Sequence, residues 1–223
     1  MESGFYHIFN RGVEKRKIFM DNTDRIRFIH DLYEFNDERH APDFSRRDFL
    51  NGERKGDQRA KLVNLLAFCL MTNHHHLLCE EIKEGGVSLF IKKLHGGYAR
   101  AFNEKHKRSG YLFQGRYKKV KIESDRHLLQ EICYIHSNPL NLWKPRWKEG
   151  KLSSSDIKEA IRFLEKYRWS SHLDYMGKRN FPSVTERNFL SGVFEEYGGY
   201  NKFFIDWLSN LCGTSDVPHK KGE

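Results

Sequence analysis

A fold mixing strands and helices and ending in a helical C-terminal part is what the chain predicts, from three observations. Residues 63–71 (VNLLAFCLM) are almost wholly apolar and read as a buried strand, with a second short apolar run directly after it. Further strand-like stretches, rich in aromatic and β-branched residues, stand near each end of the core at 5–11 and 110–122. Between and beyond these come segments whose apolar residues recur at helical spacing.

Taken in order, Phe5-Tyr6-His7-Ile8-Phe9-Asn10-Arg11 is an opening strand that stops at Gly12. Residues 22–36 begin with polar cap candidates and carry Ile26, Ile29, Leu32 and Tyr33 near helical spacing, which predicts a first helix. Residues 37–61 are polar and charged, with a Pro and two Gly, and predict an exposed insertion. The strand pair follows at 63–71 and 74–80. A helix from about 87 to 106 packs through Leu89, Phe90, Leu94, Tyr98 and Phe102, and the pair Gly96-Gly97 is a point where it can kink. Residues 110–122 predict a strand with a Gly break. Ser124-Asp125 starts a helix that Pro139 stops. Beyond it, Trp143 to Trp147 form a turn-rich bridge, and Ser153 to Asp156 cap a helix running to about 166. Residues 183–209 predict further helix, broken near Gly198-Gly199. The organisation expected is a core at 1–142, a helical extension at 143–213 and a disordered tail at 214–223.

The 223 residues are 38% hydrophobic and 14% aromatic, enough for one sizeable core or a core with a small appendage. No apolar run approaches the ~20 residues of a membrane span. The start, Met1-Glu2-Ser3-Gly4, lacks the basic and apolar regions of a signal peptide, so a cytoplasmic protein is expected, with no membrane partner. Cys69, Cys79, Cys133 and Cys212 show no Cys-x-x-Cys spacing and read as reduced structural thiols.

A net charge of +9 and a pI near 9.3 point to a polyanionic partner, with nucleic acid foremost. The excess is concentrated. Between Lys92 and Lys121 stand Lys92, Lys93, Arg100, Lys105, Lys107, Arg108, Arg116, Lys118, Lys119 and Lys121, against the single acid Glu104. Tyr98, Phe102, Tyr111, Phe113 and Tyr117 are interleaved with them. That mixture suits stacking on unpaired bases as well as phosphate contact. The DNA-binding candidates are Lys105, Lys107, Arg108, Arg116, Lys118, Lys119 and Lys121.

The chemistry centres on Met71-Thr72-Asn73-His74-His75-His76-Leu77-Leu78. On a strand, side chains alternate, so His74 and His76 share one face and His75 takes the other. Two imidazoles about 7 Å apart along a strand can hold one divalent metal ion. On the helix 125–138, Leu128, Leu129, Ile132 and Ile135 make one apolar face, while Gln130, Tyr134 and Asn138 are spaced by four on the side away from it. Spacing alone favours a plain role for these, with Asn138 capping the helix before Pro139 and Tyr134 an ordinary amphipathic aromatic.

With these residues in view, the chain resembles the IS200-like single-tyrosine (Y1) transposases, in particular their REP-associated tyrosine transposase branch, over roughly residues 4–177. Tyr6-His7-Ile8-Phe9-Asn10-Arg11-Gly12 is similar to the family's opening strand, and Met71 to Leu78 resembles its block carrying the His-hydrophobic-His (HUH) metal motif. Gly110-Tyr-Leu-Phe-Gln-Gly-Arg-Tyr117, Tyr134-Ile-His-Ser-Asn-Pro139 and Tyr167-Arg-Trp-Ser-Ser171 resemble three further blocks, in the family's order. Two positions depart from the pattern. Thr72 replaces the usual proline, and His75 fills the usually hydrophobic middle position, where it offers a spurious ligand. The insertion at 37–61 also looks long for the family.

The resemblance implies a ferredoxin-like α+β core, an antiparallel sheet flanked by helices, with the histidines on a central strand. It implies His74, His76 and Asn138 as ligands of a divalent metal ion, Mg²⁺ or Mn²⁺, and Tyr134 as the nucleophile that cuts single-stranded DNA beside a hairpin. It implies a 5′-phosphotyrosine intermediate, strand transfer, and a monomer or homodimer. Gln130 and His127 are candidates to support the ligands from behind, whereas His7 and His136 read as structural. A phenol with a pKa near ~10 needs such a site, because a bound cation polarises the scissile phosphate and stabilises developing charge. Tyr98 competes as nucleophile, but Asn103 lies about 140° round its helix, whereas Asn138 lies about 40° from Tyr134. Tyr111 and Tyr117 better suit stacking or packing.

Rival readings keep the same residues. One is a domesticated hairpin-DNA-binding protein with little or no transposition. Another is a metal phosphohydrolase using water, which lacks clustered acids and has Leu78 where a third alternating histidine would stand; a histidine-triad nucleotide hydrolase is disfavoured for the same reason. A purely structural RNA-binding module is the last.

Overall fold

The structure is a computed structural model and describes residues 4–39, 59–150 and 152–211. Most of the insertion expected at 37–61, the expected disordered tail and Cys212 lie outside the described residues. The two ends of that insertion are tied together by Asn36. Its amide donates to the Val63 carbonyl at 2.8 Å and accepts from the N–H groups of Leu62 and Val63, both at 3.1 Å.

The core runs β1 (Gly4–Arg11), α1 (Asn22–Glu34), β2 (Val63–Leu70), β3 (His74–Glu81), α2 (Gly86–Lys105) and β4 (Lys118–Ile122). After it come α3 (Asp125–Ser137), the short α4 (Leu140–Trp143), α5 (Ser154–Lys166), the short α6 (His172–Tyr175), α7 (Asn188–Glu195) and α8 (Tyr200–Leu211). The sheet order is β2-β3-β1-β4, and every neighbouring pair is antiparallel. That is the expected ferredoxin-like βαββαβ arrangement, an α+β fold with β3 and β1 in the middle.

Strand alternation divides the core in two. Ile8, Phe68, Leu70, Leu77 and Cys79 face α1 and α2, packing with Phe28, Leu32, Phe90 and Leu94. Ala67, Cys69, Leu78 and Ile122 face α3 and the C-terminal helices, packing with Leu129, Ile132, Leu164, Phe194 and Phe204. Each large apolar side chain so buried contributes about 1.5–3 kcal/mol.

Helix starts follow their side chains. Asp21 caps α1, accepting from the Asp24 N–H at 2.9 Å while the Asp24 carboxylate reaches back to the Asp21 N–H at 3.3 Å. Ser153 and Asp156 repeat this capping box on α5. Each cap is worth about 1 kcal/mol. Gly96-Gly97 does not interrupt α2. Gly97 is there for contact: a Cβ on it would stand 2.4 Å from the Phe35 ring, so α1 and α2 approach closely only without one.

Three expectations need correction. The strand expected at 110–122 is confined to Lys118–Ile122, because Gly110 and Gly115 sit at φ +82° and +62°, conformations that break a strand. Before it, Phe113 makes only an isolated bridge to Gly12. The helical stretch expected from 183 begins only at Asn188. Finally, the side of α3 holding Tyr134 and Asn138 is buried, not turned away from the packing. This helix lies between the sheet and the C-terminal helices, so that residues 131–140 are all buried and Gln130 is exposed. Among the described residues no helix is long and apolar enough to cross a membrane.

Candidate functional site

β2 and β3 are joined by the tight turn Met71-Thr72-Asn73, closed by a bond from the Met71 N–H to the His74 carbonyl at 2.9 Å. The segment after β1 grips this turn from outside. The Thr72 carbonyl accepts from Ile18 and Phe19 at 3.1 and 3.2 Å, and the Asn73 carbonyl accepts from Gly12 at 2.8 Å. The strand following the turn is thereby held in register, with His76 opposite Phe9 and His74 opposite Arg11.

His74 and His76 do share a face, their ring centroids 5.0 Å apart at 83°. His75 turns to the other face and meets His95, Nε2 to Nε2 at 2.8 Å, among Phe28 and Phe113. It therefore supplies no ligand to the His74–His76 side. His76 is only 1% exposed, and burial pushes its imidazole well below the ordinary histidine range, with His7 and His74 adding to the effect. A neutral imidazole is the form that binds a metal.

Tyr134 comes down from α3 onto the same face. Its ring stands edge-on to His76, centroids 5.9 Å apart, and edge-on to His7 at 6.0 Å. Asn138, one turn on, donates its amide to the Tyr134 carbonyl at 3.0 Å, a cap that leaves its Oδ1 as the end able to accept or ligate. His127 lies 3.7 Å from the Glu131 carboxylate. Gln130 is exposed, and its neighbour Glu131 is what meets the strand, at His7.

Two neighbours of the site were not singled out by sequence reasoning. His7, expected to be structural, bonds His76 through Nε2 to Nδ1 at 2.9 Å and Glu131 through Nδ1 at 2.8 Å. The available signal was a carboxylate standing between Leu129 and Ile132 in an apolar stripe. The other is Lys148, whose ammonium lies 4.1 Å from the centroid of the Tyr134 ring. Trp147, buried beside it, anchors that turn.

The competing tyrosines go elsewhere. Tyr98 is buried against α1 and donates to the Ile18 carbonyl at 2.5 Å, and burial raises its phenol far above the ordinary range. Tyr117 bonds Ser88 at 3.0 Å, whereas Tyr111 is 89% exposed.

As to a metal, the donors fit in kind. The Nε2 of His76 is buried without a hydrogen-bond partner, on the face where His74 and the Tyr134 ring gather. Among the described residues no group of three or more His, Cys, Asp or Glu is arranged to hold an ion, so any third protein ligand has to be of another kind, as the amide oxygen of Asn138 is.

The basic candidates separate. Lys105 pairs with Asp21 and Asp24, both at 2.7 Å, and Arg108 with the Asn103 amide at 2.6 Å. Lys119 lies over Tyr6 and 3.2 Å from Glu81. Lys107, Arg116, Lys118 and Lys121 reach the surface. Lys118 sits opposite Phe9, which sits opposite His76, so one row across the sheet carries Lys118 about 10 Å from the histidine on the same face.

These features define a class: an antiparallel α+β domain in which a His-x-His strand faces a tyrosine on a covering helix. Residues 55–138 match the family model described as Transposase IS200 like, a span that takes in His74, His76, Tyr134 and Asn138. The chain thus resembles the IS200-like transposases over this segment. Among solved structures, a REP-associated tyrosine transposase bound to a REP hairpin aligns with a TM-score of 0.47 and 11% identity, covering 83% of this chain and 87% of that one. A search of the curated proteins found no match.

Proposed function

We propose that the protein cuts and rejoins single-stranded DNA next to a hairpin, in a metal-dependent transposition reaction with Tyr134 as nucleophile. The observation that carries the reading is the edge-on contact of the Tyr134 ring with His76, whose Nε2 is buried and unpartnered. His74, His76 and the Asn138 oxygen would hold a Mg²⁺ or Mn²⁺ ion. When bound, that ion supplies polarisation of the scissile phosphate and neutralisation of developing charge.

The protein's own groups do the rest. Tyr134 Oη forms a bond to phosphorus as the bond from phosphorus to the 3′-oxygen breaks. One strand end is left as a 5′-phosphotyrosine and the other as a 3′-hydroxyl. The phosphodiester energy is retained in the tyrosyl ester, so a second 3′-hydroxyl reverses the step on another strand and no nucleotide cofactor is consumed. Lys148, 4.1 Å from the centroid of the Tyr134 ring, adds positive charge over the nucleophile's ring. Lys118, on the face of the histidines, and the exposed Arg116 offer cations to the DNA backbone, whereas Lys121 pairs with Tyr6 on the other face.

The test is incubation with 5′- or 3′-labelled single strands flanking a hairpin, in Mn²⁺, followed by a denaturing gel. A covalent adduct that disappears in Tyr134→Phe is the expected result. Cleavage persisting in that variant would move the nucleophile to water.

A further inference from the structure

Resting on that reading of the site, we infer that Glu131 and His7 are positioning residues that fix the ring tautomer of His76, so that its Nε2 meets a divalent cation as a lone pair. The chain of bonds runs from α3 through β1 to β3. Glu131 Oε1 lies 2.8 Å from His7 Nδ1, and His7 Nε2 lies 2.9 Å from His76 Nδ1. A carboxylate oxygen accepts, so His7 donates to it through Nδ1–H. Its Nε2 is placed as the acceptor because donation from it would leave His76 with an N–H on its buried, unpartnered Nε2. His76 must then donate through Nδ1–H. Its other nitrogen is left with the electron pair, and that nitrogen is the buried atom with no hydrogen-bond partner.

His74 is set the same way by a different device. The Asn73 amide donates through Nδ2 to the Lys15 carbonyl at 3.2 Å, which turns its oxygen toward His74 Nδ1 at 2.7 Å. That oxygen only accepts, so His74 also carries its proton on Nδ1. Two imidazoles on one strand thus have the same nitrogen committed to the protein, one through an amide and one through a histidine–carboxylate relay. Removing such a partner from behind a ligand costs metal affinity because the ring is then free to rotate or to hold its proton on the ligating atom.

The experiment measures metal binding and tautomer directly. Long-range ¹⁵N spectra of the metal-free protein report which nitrogen of His76 is protonated, and calorimetry with Mn²⁺ reports affinity. Nδ1–H is expected in the unaltered protein. Glu131→Leu should mix the tautomers and weaken Mn²⁺ binding by about 10–100-fold. Glu131→Gln, which keeps an accepting oxygen, should retain Nδ1–H and most of the affinity. Nε2–H in the unaltered protein, or full Mn²⁺ affinity in Glu131→Leu, would overturn the inference. Should Glu131→Leu not fold, the spectrum of the unaltered protein still decides. Nδ1–H on His76 with no Mn²⁺ binding at all would instead overturn the cleavage reading while supporting the hydrogen-bond assignment.

Discussion

The ring of Tyr134 meets that of His76 at 88°, edge against face, with the centroids 5.9 Å apart. This packing joins the third helix to a central strand ring against ring, and a phenylalanine ring keeps it.

Tyr134→Phe should accordingly leave the fold intact, with a thermal midpoint within ~2 °C of the unaltered protein, as expected for a change below about 1 kcal/mol. Single-strand cleavage should fall on the order of a thousandfold or more. Thermal melts alongside single-turnover assays check both halves, and a large loss of stability would show that the oxygen has a packing role.

Lys148 contributes charge at the Tyr134 ring and lies beyond the segment, 55–138, that matches the family model. Lys148→Met should slow cleavage about tenfold while single-strand affinity changes less than ~2-fold. Equal decreases in rate and affinity would make it a simple DNA-binding group.

Exposed charge on and before β4 should be visible in salt dependence. Replacing Arg116 and Lys118 together by Gln removes the cations available there to neutralise phosphates. The slope of log affinity against log salt should then fall by about 0.7 for each phosphate left without its cation. Lys105→Gln should leave that slope unchanged, since its ammonium is balanced by Asp21 and Asp24.

Acid stability should depend on His172. Burial holds its imidazole at about 3 against an ordinary 6.5, with Nδ1 bonded to the Tyr200 hydroxyl at 2.6 Å. The unfolded chain takes up the proton first as pH falls, so this contribution is whole above about pH 6.5. Below it, stability is lost at roughly 1.4 kcal/mol per pH unit until the folded value is reached. Urea unfolding of His172→Gln at pH 7 and pH 5 should show a smaller pH effect than the unaltered protein. An identical pH effect would assign the sensitivity to other groups.

Much of this was legible in the sequence for local reasons. Alternation placed His74 and His76 on one face, because a strand has only two. Ser153 with Asp156 announced a helix start because the bonds involved span three residues. What escaped depends on partners distant in the chain. His7 gains its meaning only when β1 pairs with β3, and Lys148 only when a turn beyond Pro139 folds back over α3. Gly110 and Gly115 were seen as a break, but how much of the strand they remove is set by the turn they form against Arg11 and Gly12. The burial of Tyr134 and Asn138 required knowing that α3 is covered on its outer side.

That cover has one more effect. Ser170 bridges Cys69, the Trp169 carbonyl receives the Leu70 N–H, Ser171 reaches the Phe68 carbonyl and Glu186 the Leu65 carbonyl, so the outer margin of β2 is already occupied. Among the described residues the sheet keeps one open rim, along β4, and three of that strand's five residues are lysines. A stray polypeptide strand seeking to add itself there meets a row of ammonium groups that discourages stacking of copies, whereas a phosphodiester chain is drawn to the same row.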